Sequence, residues 1–341
     1  MNIRAKNVIY SLILVVSVFA VWKYRQKDTL DAIRLDGQTM GTTYHITYFD
    51  DGQRDFKVAI DSLLQVFNQS MSTYLPQSEV SIFNRSRSLK YNLPYFLPVL
   101  QKSKEVYEAS GGSFDPTVMP LVNAWGFGPG DKFKPDSIQT DSILQFVGFD
   151  KVYFNTDSLW KADLRVQLDF SALAKGYGVD VVADLLRMKG ITDGMVEIGG
   201  EVAAWGKNKK LGRHWNVGIL DPASDYVNTK YLAEVSLKDQ AVATSGNYFN
   251  QYQEDGASYS HTIDPVTGYP IRQEILSASV FAKDCMTADA WATAFMVMGH
   301  KRAIETLPHH PEIEAFLIYA EGTRLKTFAT EKISPLIRIN P

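Results

Sequence analysis

LRVQLDFSALAKGYGVDVVADLLRMKGITDGMVEIGGEVAAW, running from Leu164 to Trp205, holds the transitions that decide the fold. Leu164–Leu168 predicts a strand, and Ser171 has the side chain of a helix N-cap. Leu173, Tyr177, Val181, Leu185 and Met188 then recur at helical spacing until Gly190 closes the element. Met195–Trp205 predicts a further strand, with Gly199-Gly200 inside it as either a bulge or a place where a ligand approaches the backbone. Downstream, strands are predicted at Trp215–Leu220, Tyr231–Ser236, Ala241–Thr244, Tyr259–Ile263 and Ile275–Ala282, with two more near Ala315–Tyr319 and Leu325–Ala329. Thr287 caps a helix that runs to Met298, with Gly299 at its C-terminal side. Upstream, Gly41–Phe49 reads as a strand and Asp50-Asp51-Gly52 as a turn; Phe56, Ile60, Leu63, Leu64 and Phe67 mark one helix, and about Pro98 to Ser110 a second. Asp28 to about Leu35 reads as a polar tether. Groups of neighbouring strands with helices inserted, and no regular βαβ alternation, predict an α+β fold of mostly antiparallel sheets. No linker follows Leu35, so one domain spanning 28–341 is expected.

Composition narrows the function. With 341 residues, 45% of them apolar, the chain can bury a large core. Its 35 basic and 38 acidic residues leave a net charge of −3, so no positive field gathers phosphate backbones, and nucleic acid is not an expected partner. The N-terminus carries Arg4 and Lys6, an uncharged run from Val8 to Trp22, then Lys23, Arg25 and Lys27. That run of about 15 residues has the size of a secretory h-region and falls short of the roughly 20 that span hydrocarbon. Residues 1–27 therefore read as a signal anchor or a cleaved signal peptide, with a buried core helix as the third reading. The single Cys285 forbids an intrachain disulfide.

GxGxxG after a strand, GxxxxGK[ST], HExxH, CxxC and GxSxG are all absent, which closes the usual nucleotide, metalloprotease, redox and hydrolase readings. What remains clusters at element ends. Asp289 and Thr293, four residues apart, share a helix face: a carboxylate and a hydroxyl oxygen there suit one hard cation, or Asp289 complements the helix dipole while Thr293 packs. Asp169 either meets a ligand or caps the helix after it, and Lys175 is a ligand contact or a solvated charge. His261 is a structural residue at a strand end or a proton carrier. Tyr74 packs or stacks on a flat ring, and Cys285 is a small buried residue or a redox-sensitive thiol.

Taken in order, Thr39–Tyr44 (TMGTTY), Met71–Tyr74 (MSTY), Gly111–Pro116 (GGSFDP), Leu168–Tyr177 (LDFSALAKGY), Glu197–Glu201 (EIGGE), Ala243–Gly246 (ATSG), His261–Gly268 (HTIDPVTG) and Ala288–Ala294 (ADAWATA) make the chain resemble the ApbE family of FAD:protein FMN transferases. The resemblance spans roughly Leu35 to Ala329 and implies an α+β catalytic domain reminiscent of tandem T-fold units. It implies FAD as substrate and Mg²⁺ as cofactor, with the FMN half passed to a Ser or Thr hydroxyl of another protein and AMP released.

Carried over by motif, the flavin and nucleotide contacts fall on Met40, Tyr74, Ser113, Phe114, Asp115, Asp169, Lys175 and Ile263. The metal contacts fall on the Ala172 carbonyl, Asp289 and Thr293. His261 is the candidate base for the acceptor hydroxyl, with Asp289 its rival. Asn247 stands where many members of the family have Asp. The family's acceptor pattern, Asp-x-(Ser/Thr)-Gly-(Ala/Ser)-(Ser/Thr), does not occur in the chain, so the acceptor is expected to be a separate protein. An Nqr- or Rnf-type electron-transfer subunit on the periplasmic side of the bacterial inner membrane is the expected one. A Mg²⁺-dependent FAD pyrophosphatase and a non-enzymatic flavin-binding protein are the rival readings.

Overall fold

Eight strands form one sheet whose spatial order follows the chain: β1 (Ile33–Thr39), β2 (Thr42–Tyr48), β3 (Gly194–Ile198), β4 (Glu201–Trp205), β5 (Gln240–Gly246), β6 (Ile275–Ala282), β7 (Glu314–Glu321) and β8 (Arg324–Ala329). Every neighbouring pair is antiparallel, which bears out the expected α+β class. The computed structural model describes residues 3–26, 31–128, 135–224, 230–246, 251–254, 257–272, 274–322 and 324–340.

Both faces of the sheet are covered, and β4 shows why its sequence is apolar throughout after Glu201. Ala203 and Trp205 face the larger core, beneath the helices, while Val202 and Ala204 face a second core. That second core is closed by a three-stranded antiparallel sheet of Trp215–Leu220, Tyr231–Leu237 and Ile337–Ile339. Five longer helices carry the rest: α1 (Ile3–Gln26), α2 (Lys57–Met71), α3 (Phe96–Ala109), α4 (Ala174–Met188) and α5 (Cys285–Thr306). Helix α4 packs on β3, β4 and α2, and α5 packs on β5, β6 and α3.

The two central helices lie against each other with their first turns overlapping. Asp180, in the second turn of α4, accepts hydrogen bonds from the backbone N–H groups of Cys285 and Met286, both at 2.8 Å, and so caps α5. Asp289, one turn into α5, accepts from the Gly176 N–H at 2.9 Å and caps α4 in return. The approach is close enough that a Cβ on Gly176 would sit 2.3 Å from the Cys285 carbonyl oxygen.

Several local expectations give way to this geometry. The expected tether overlaps β1, because Ile33 to Thr39 pair along the whole of β2. Leu164–Leu168 is not a strand: Asp163 folds it into a turn by accepting from the Arg165 N–H, and only Gln167 bridges, to Val118. Met195–Trp205 is a hairpin, β3 and β4, whose two-residue turn is Gly199-Gly200 with φ of 59° and 100°. Ser171 is not the cap of α4, since the helix starts at Ala174 and borrows Asp289. The buried residues of α4 include Val179, Val182, Ala183 and Leu186, and Met188 is exposed. Asp284, not Thr287, caps α5, accepting from the Thr287 N–H. The helix continues past a break at Gly299 to Thr306.

α1 is solvent-exposed along its apolar residues, with Leu14 66% accessible, which removes the buried-helix reading. Among the described residues no helix is long and apolar enough to cross a membrane.

Asp180→Asn keeps the shape but leaves one acceptor for two N–H groups, and should destabilise the fold by about 1–2 kcal/mol. Burial raises the Asp180 carboxyl to about 7, against the two N–H bonds that lower it. A folded value above the unfolded one means that its contribution is fullest at low pH and declines as pH rises toward 7. Urea unfolding of wild type and variant should therefore show a gap that narrows from pH 5 to pH 8; a widening gap means that the N–H bonds outweigh burial.

Candidate active site

Two hairpin tips and a helix start meet at one end of the sheet. Met40 and Gly41 turn the chain between β1 and β2 with φ of 49° and 73°, and Gly199-Gly200 does so between β3 and β4. Gly199 donates its N–H to the Thr43 carbonyl at 3.0 Å, which ties the tips together beside the first turn of α4. Between them and α5 lies a cleft of two lobes of about 540 and 520 Å³ that share Tyr74, Ser171 and Lys175.

The first lobe is lined by Ser113, Phe114, Asp115, Asp169, Ala172, Ile263, Asp289 and Thr293, and the second by Met40 with Met71–Leu75. Each of the eleven residues expected to bind ligand or metal therefore faces one cleft, although they come from segments up to 253 positions apart, Met40 to Thr293. His261 lies on the strand Ala257–Ile263, directly before Thr262 and Ile263 of the first lobe. Its side chain, and Asn247, lie outside the described residues.

Three residues that carry hard oxygens, Ala172, Asp289 and Thr293, line the first lobe. In an unbroken helix the Gly176 N–H would donate to the carbonyl of Ala172; here it donates to Asp289 Oδ2, so that carbonyl is not taken by Gly176. Thr293 follows Asp289 by one turn of α5, and its hydroxyl lies 3.3 Å from that of Ser245 at the end of β5. Carbonyl, carboxylate and hydroxyl form a donor set that suits a small hard cation whose other positions go to water or phosphate. Among the described residues no three His, Cys, Asp or Glu converge, so the site has no cage of the zinc type.

Lys175 supplies the fixed positive charge. Its ammonium donates to Glu201 Oε1, and Asp289 lies near enough to act on it as well. Burial alone would lower the Lys175 pKa, but the two carboxylates outweigh it and hold it above the ordinary value. Burial pushes Asp289 and Glu201 up, with Lys175 opposing in both. Glu201 is 2% exposed, and its Oε2 has no hydrogen-bond partner among the described residues. It is the site residue that the sequence reading passed over: EIGGE was singled out for its glycines, and nothing local showed that its last carboxylate faces Lys175.

The remaining acids are held by backbone. Asp169 accepts from the Ser171 N–H at 2.9 Å and from its hydroxyl, while burial pushes its carboxyl up. It is set in place by Asn84, whose side chain accepts from the Leu168 N–H at 2.7 Å and donates to the Leu168 carbonyl at 2.9 Å. Asp115 is raised to about 6 by burial, against the Thr117 N–H and hydroxyl that donate to it. Cys285 is buried, its thiol raised well above the ordinary value by burial and directed at the carbonyls of Val202 and Val242. It is a packing residue with none of the marks of a reactive thiol.

A two-lobed cleft with hard-oxygen donors and four carboxylates against one ammonium suits a long ligand whose negative charge is brought in together with a cation. The profile of the ApbE family matches residues 40–317, and the chain belongs to that family. It is 38% identical over 320 residues to the FAD:protein FMN transferase of Vibrio cholerae, covering 90% of this chain and 93% of that protein. It is also 38% identical to that of Haemophilus influenzae, over 82% of this chain and 84% of the other. The solved structure of the flavin transferase ApbE from Vibrio cholerae superposes with a TM-score of 0.81 at 36% identity, over 90% of this chain and 99% of that one.

Two glycines of α4 separate fold from ligand. Gly176→Ala forces its methyl into the Cys285 backbone, 2.3 Å away, and should lower stability by about 1–3 kcal/mol while pushing α4 away from Asp289. Gly178→Ala meets only the flexible end of Met40, at 2.4 Å, and should leave the melting temperature near wild type while weakening FAD binding. Calorimetry and FAD titration of both variants check this; equal effects on both readouts contradict it.

Proposed function

We propose that this chain transfers the FMN half of FAD to a Ser or Thr hydroxyl of an acceptor protein, forming a phosphoester and releasing AMP. The observation that carries the reading is the convergence, in one cleft, of the Ala172 carbonyl, Asp289, Thr293 and Lys175 beside a second lobe large enough for a ring system. The acceptor oxygen attacks the FMN-side phosphorus, and the bond to the bridging oxygen breaks so that AMP carries away the electron pair.

Ala172, Asp289 and Thr293 would hold Mg²⁺. Bound there, it neutralises charge on the diphosphate. The chain's own groups do the rest. Lys175 holds a positive charge at the junction of the lobes, with Glu201 fixing where its ammonium points. The first turn of α4 presents its N-terminal dipole to the anion. Tyr74, 70% exposed at the shared rim, offers a ring face to the flavin or adenine. His261 takes the acceptor proton in this reading. Little covalent work falls to the protein beyond placing these parts.

The acceptor is proposed to carry Asp-x-(Ser/Thr)-Gly-(Ala/Ser)-(Ser/Thr) and to be a subunit of an Nqr- or Rnf-type complex. Residues 1–27 are proposed to act as an export signal or anchor, placing the domain on the periplasmic face of the inner membrane. Their basic flanks and exposed apolar helix support this.

The full chain, incubated with FAD, Mg²⁺ and a protein bearing the hexapeptide, should yield flavin fluorescence that survives denaturing electrophoresis. Free FMN with no labelled protein would show a pyrophosphatase, and unchanged FAD a binding protein. Asp289→Ala should cut label incorporation by at least about 10²-fold, and normal incorporation at ordinary Mg²⁺ removes Asp289 from the metal site.

A further inference from the structure

The end of the sheet opposite the cleft has a character of its own. Ile33, Tyr48, Gly194 and Trp205 are cross-strand neighbours in one row. Gly37, Tyr44, Ile198 and Glu201 form a second row at the cleft end, about 13 Å away at roughly 3.3 Å per residue. The chain enters the domain at Ile33, so the apolar segment up to Gln26 attaches at the far row, within about 24 Å of extended chain.

Directly after Trp205, in that row, the chain forms a basic hairpin. Asn208 pairs with Arg213, the N–H groups of Leu211 and Gly212 donate to the Asn208 carbonyl at 3.1 and 2.8 Å, and Gly212 takes a φ of 65°. The root is fixed: Gly206 donates to Asp239 at 2.9 Å and Lys207 to Asp193 at 2.8 Å, both through backbone N–H groups. Lys207, Lys209, Lys210 and Arg213 are exposed, and the tip is Leu211, 58% exposed. Lys209 is paired with Asp193 at 3.1 Å; Lys207, Lys210 and Arg213 have no acidic partner among the described residues. Asp50, another acid at this end, is matched by Arg54 at 2.7 Å, and Asp239 at the root accepts from the Gly206 N–H, so neither acid forms an ion pair with Lys207, Lys210 or Arg213.

We propose that the hairpin 207–213 seats the domain on an anionic phospholipid surface, its cations against headgroups and Leu211 in the interface, so that the cleft faces away from the bilayer. Cations and an apolar tip on one rigid turn suit a surface that is negative outside and apolar beneath. A bilayer is favoured over an acceptor protein because the hairpin sits at the end where the N-terminal segment joins, with the sheet between it and the cleft that an acceptor hydroxyl must enter. The proposal rests on reading residues 1–27 as a membrane-directed segment.

The test uses the full chain carrying Leu211→Cys with a polarity-sensitive fluorophore; Cys285 is buried and does not compete for label. The protein is added to vesicles of phosphatidylcholine alone and of phosphatidylcholine with phosphatidylglycerol. A blue shift in anionic vesicles only, abolished at about 1 M salt and by combined Lys207→Glu, Lys210→Glu and Arg213→Glu, supports the proposal. Equal emission in both vesicle types, or a shift that survives the three reversals, overturns it. Flotation on neutral vesicles reports on residues 1–27 separately, so failure of that reading shows up apart from failure of the hairpin. Flavin transfer in detergent solution should match wild type in the triple variant. A loss there of tenfold or more would assign the hairpin to the acceptor and overturn the membrane reading.

Discussion

Everything at the cleft depends on a reciprocal exchange between two helices: Asp180 of α4 accepts the first N–H groups of α5, and Asp289 of α5 accepts the Gly176 N–H of α4. Each carboxylate satisfies donors that the other helix leaves open at its first turn. The exchange requires the backbones to touch, and Gly176 is the residue that lets them, because any Cβ there would collide with the Cys285 carbonyl. It also frees the Ala172 carbonyl, and it holds Asp289 and Thr293 along the facing side of α5. The packing solution and the proposed metal-binding arrangement thus use the same residues, and the Gly176 N–H offsets part of what burial costs Asp289.

Much of this architecture is legible in local sequence. Ile275–Ala282 forms its strand with the bounds read from the chain, and Trp215–Leu220 does the same, because β-branched and aromatic runs bounded by turn residues leave few alternatives. The failures share one cause. Ser171 and Thr287 look like caps, yet the caps are Asp289 from another helix and Asp284 from the residue before α5. Leu164–Leu168 has strand composition but no partner strand, and a polar-looking segment became β1 because β2 offered it seven paired positions. Partners distant in the chain decided those cases, and local spacing carries no trace of them.

The site divides along the same line. Asp289 and Thr293 were visible as a helix face, and Asp169 and Lys175 as residues at an element boundary, but spacing alone left each with a plain structural reading. Their order along the chain supplied the resemblance that brought them together, and the fold places all of them around one cleft. Glu201 and Asn84 escaped. Glu201 acts only through Lys175, 26 positions away, and Asn84 only through the backbone of Leu168, 84 positions away. Asp169 does not cap α4: it holds the Ser171 turn ahead of that helix, and it lines the cleft.

The most direct measurement of the central claim is anomalous diffraction from crystals of the chain grown with FAD and Mn²⁺ in place of Mg²⁺. The account predicts one ion in the first lobe, bound by the Ala172 carbonyl, an Asp289 oxygen and the Thr293 hydroxyl, with diphosphate oxygens completing its shell. An ion elsewhere in the cleft, or one that leaves the Ala172 carbonyl uncoordinated, would contradict it.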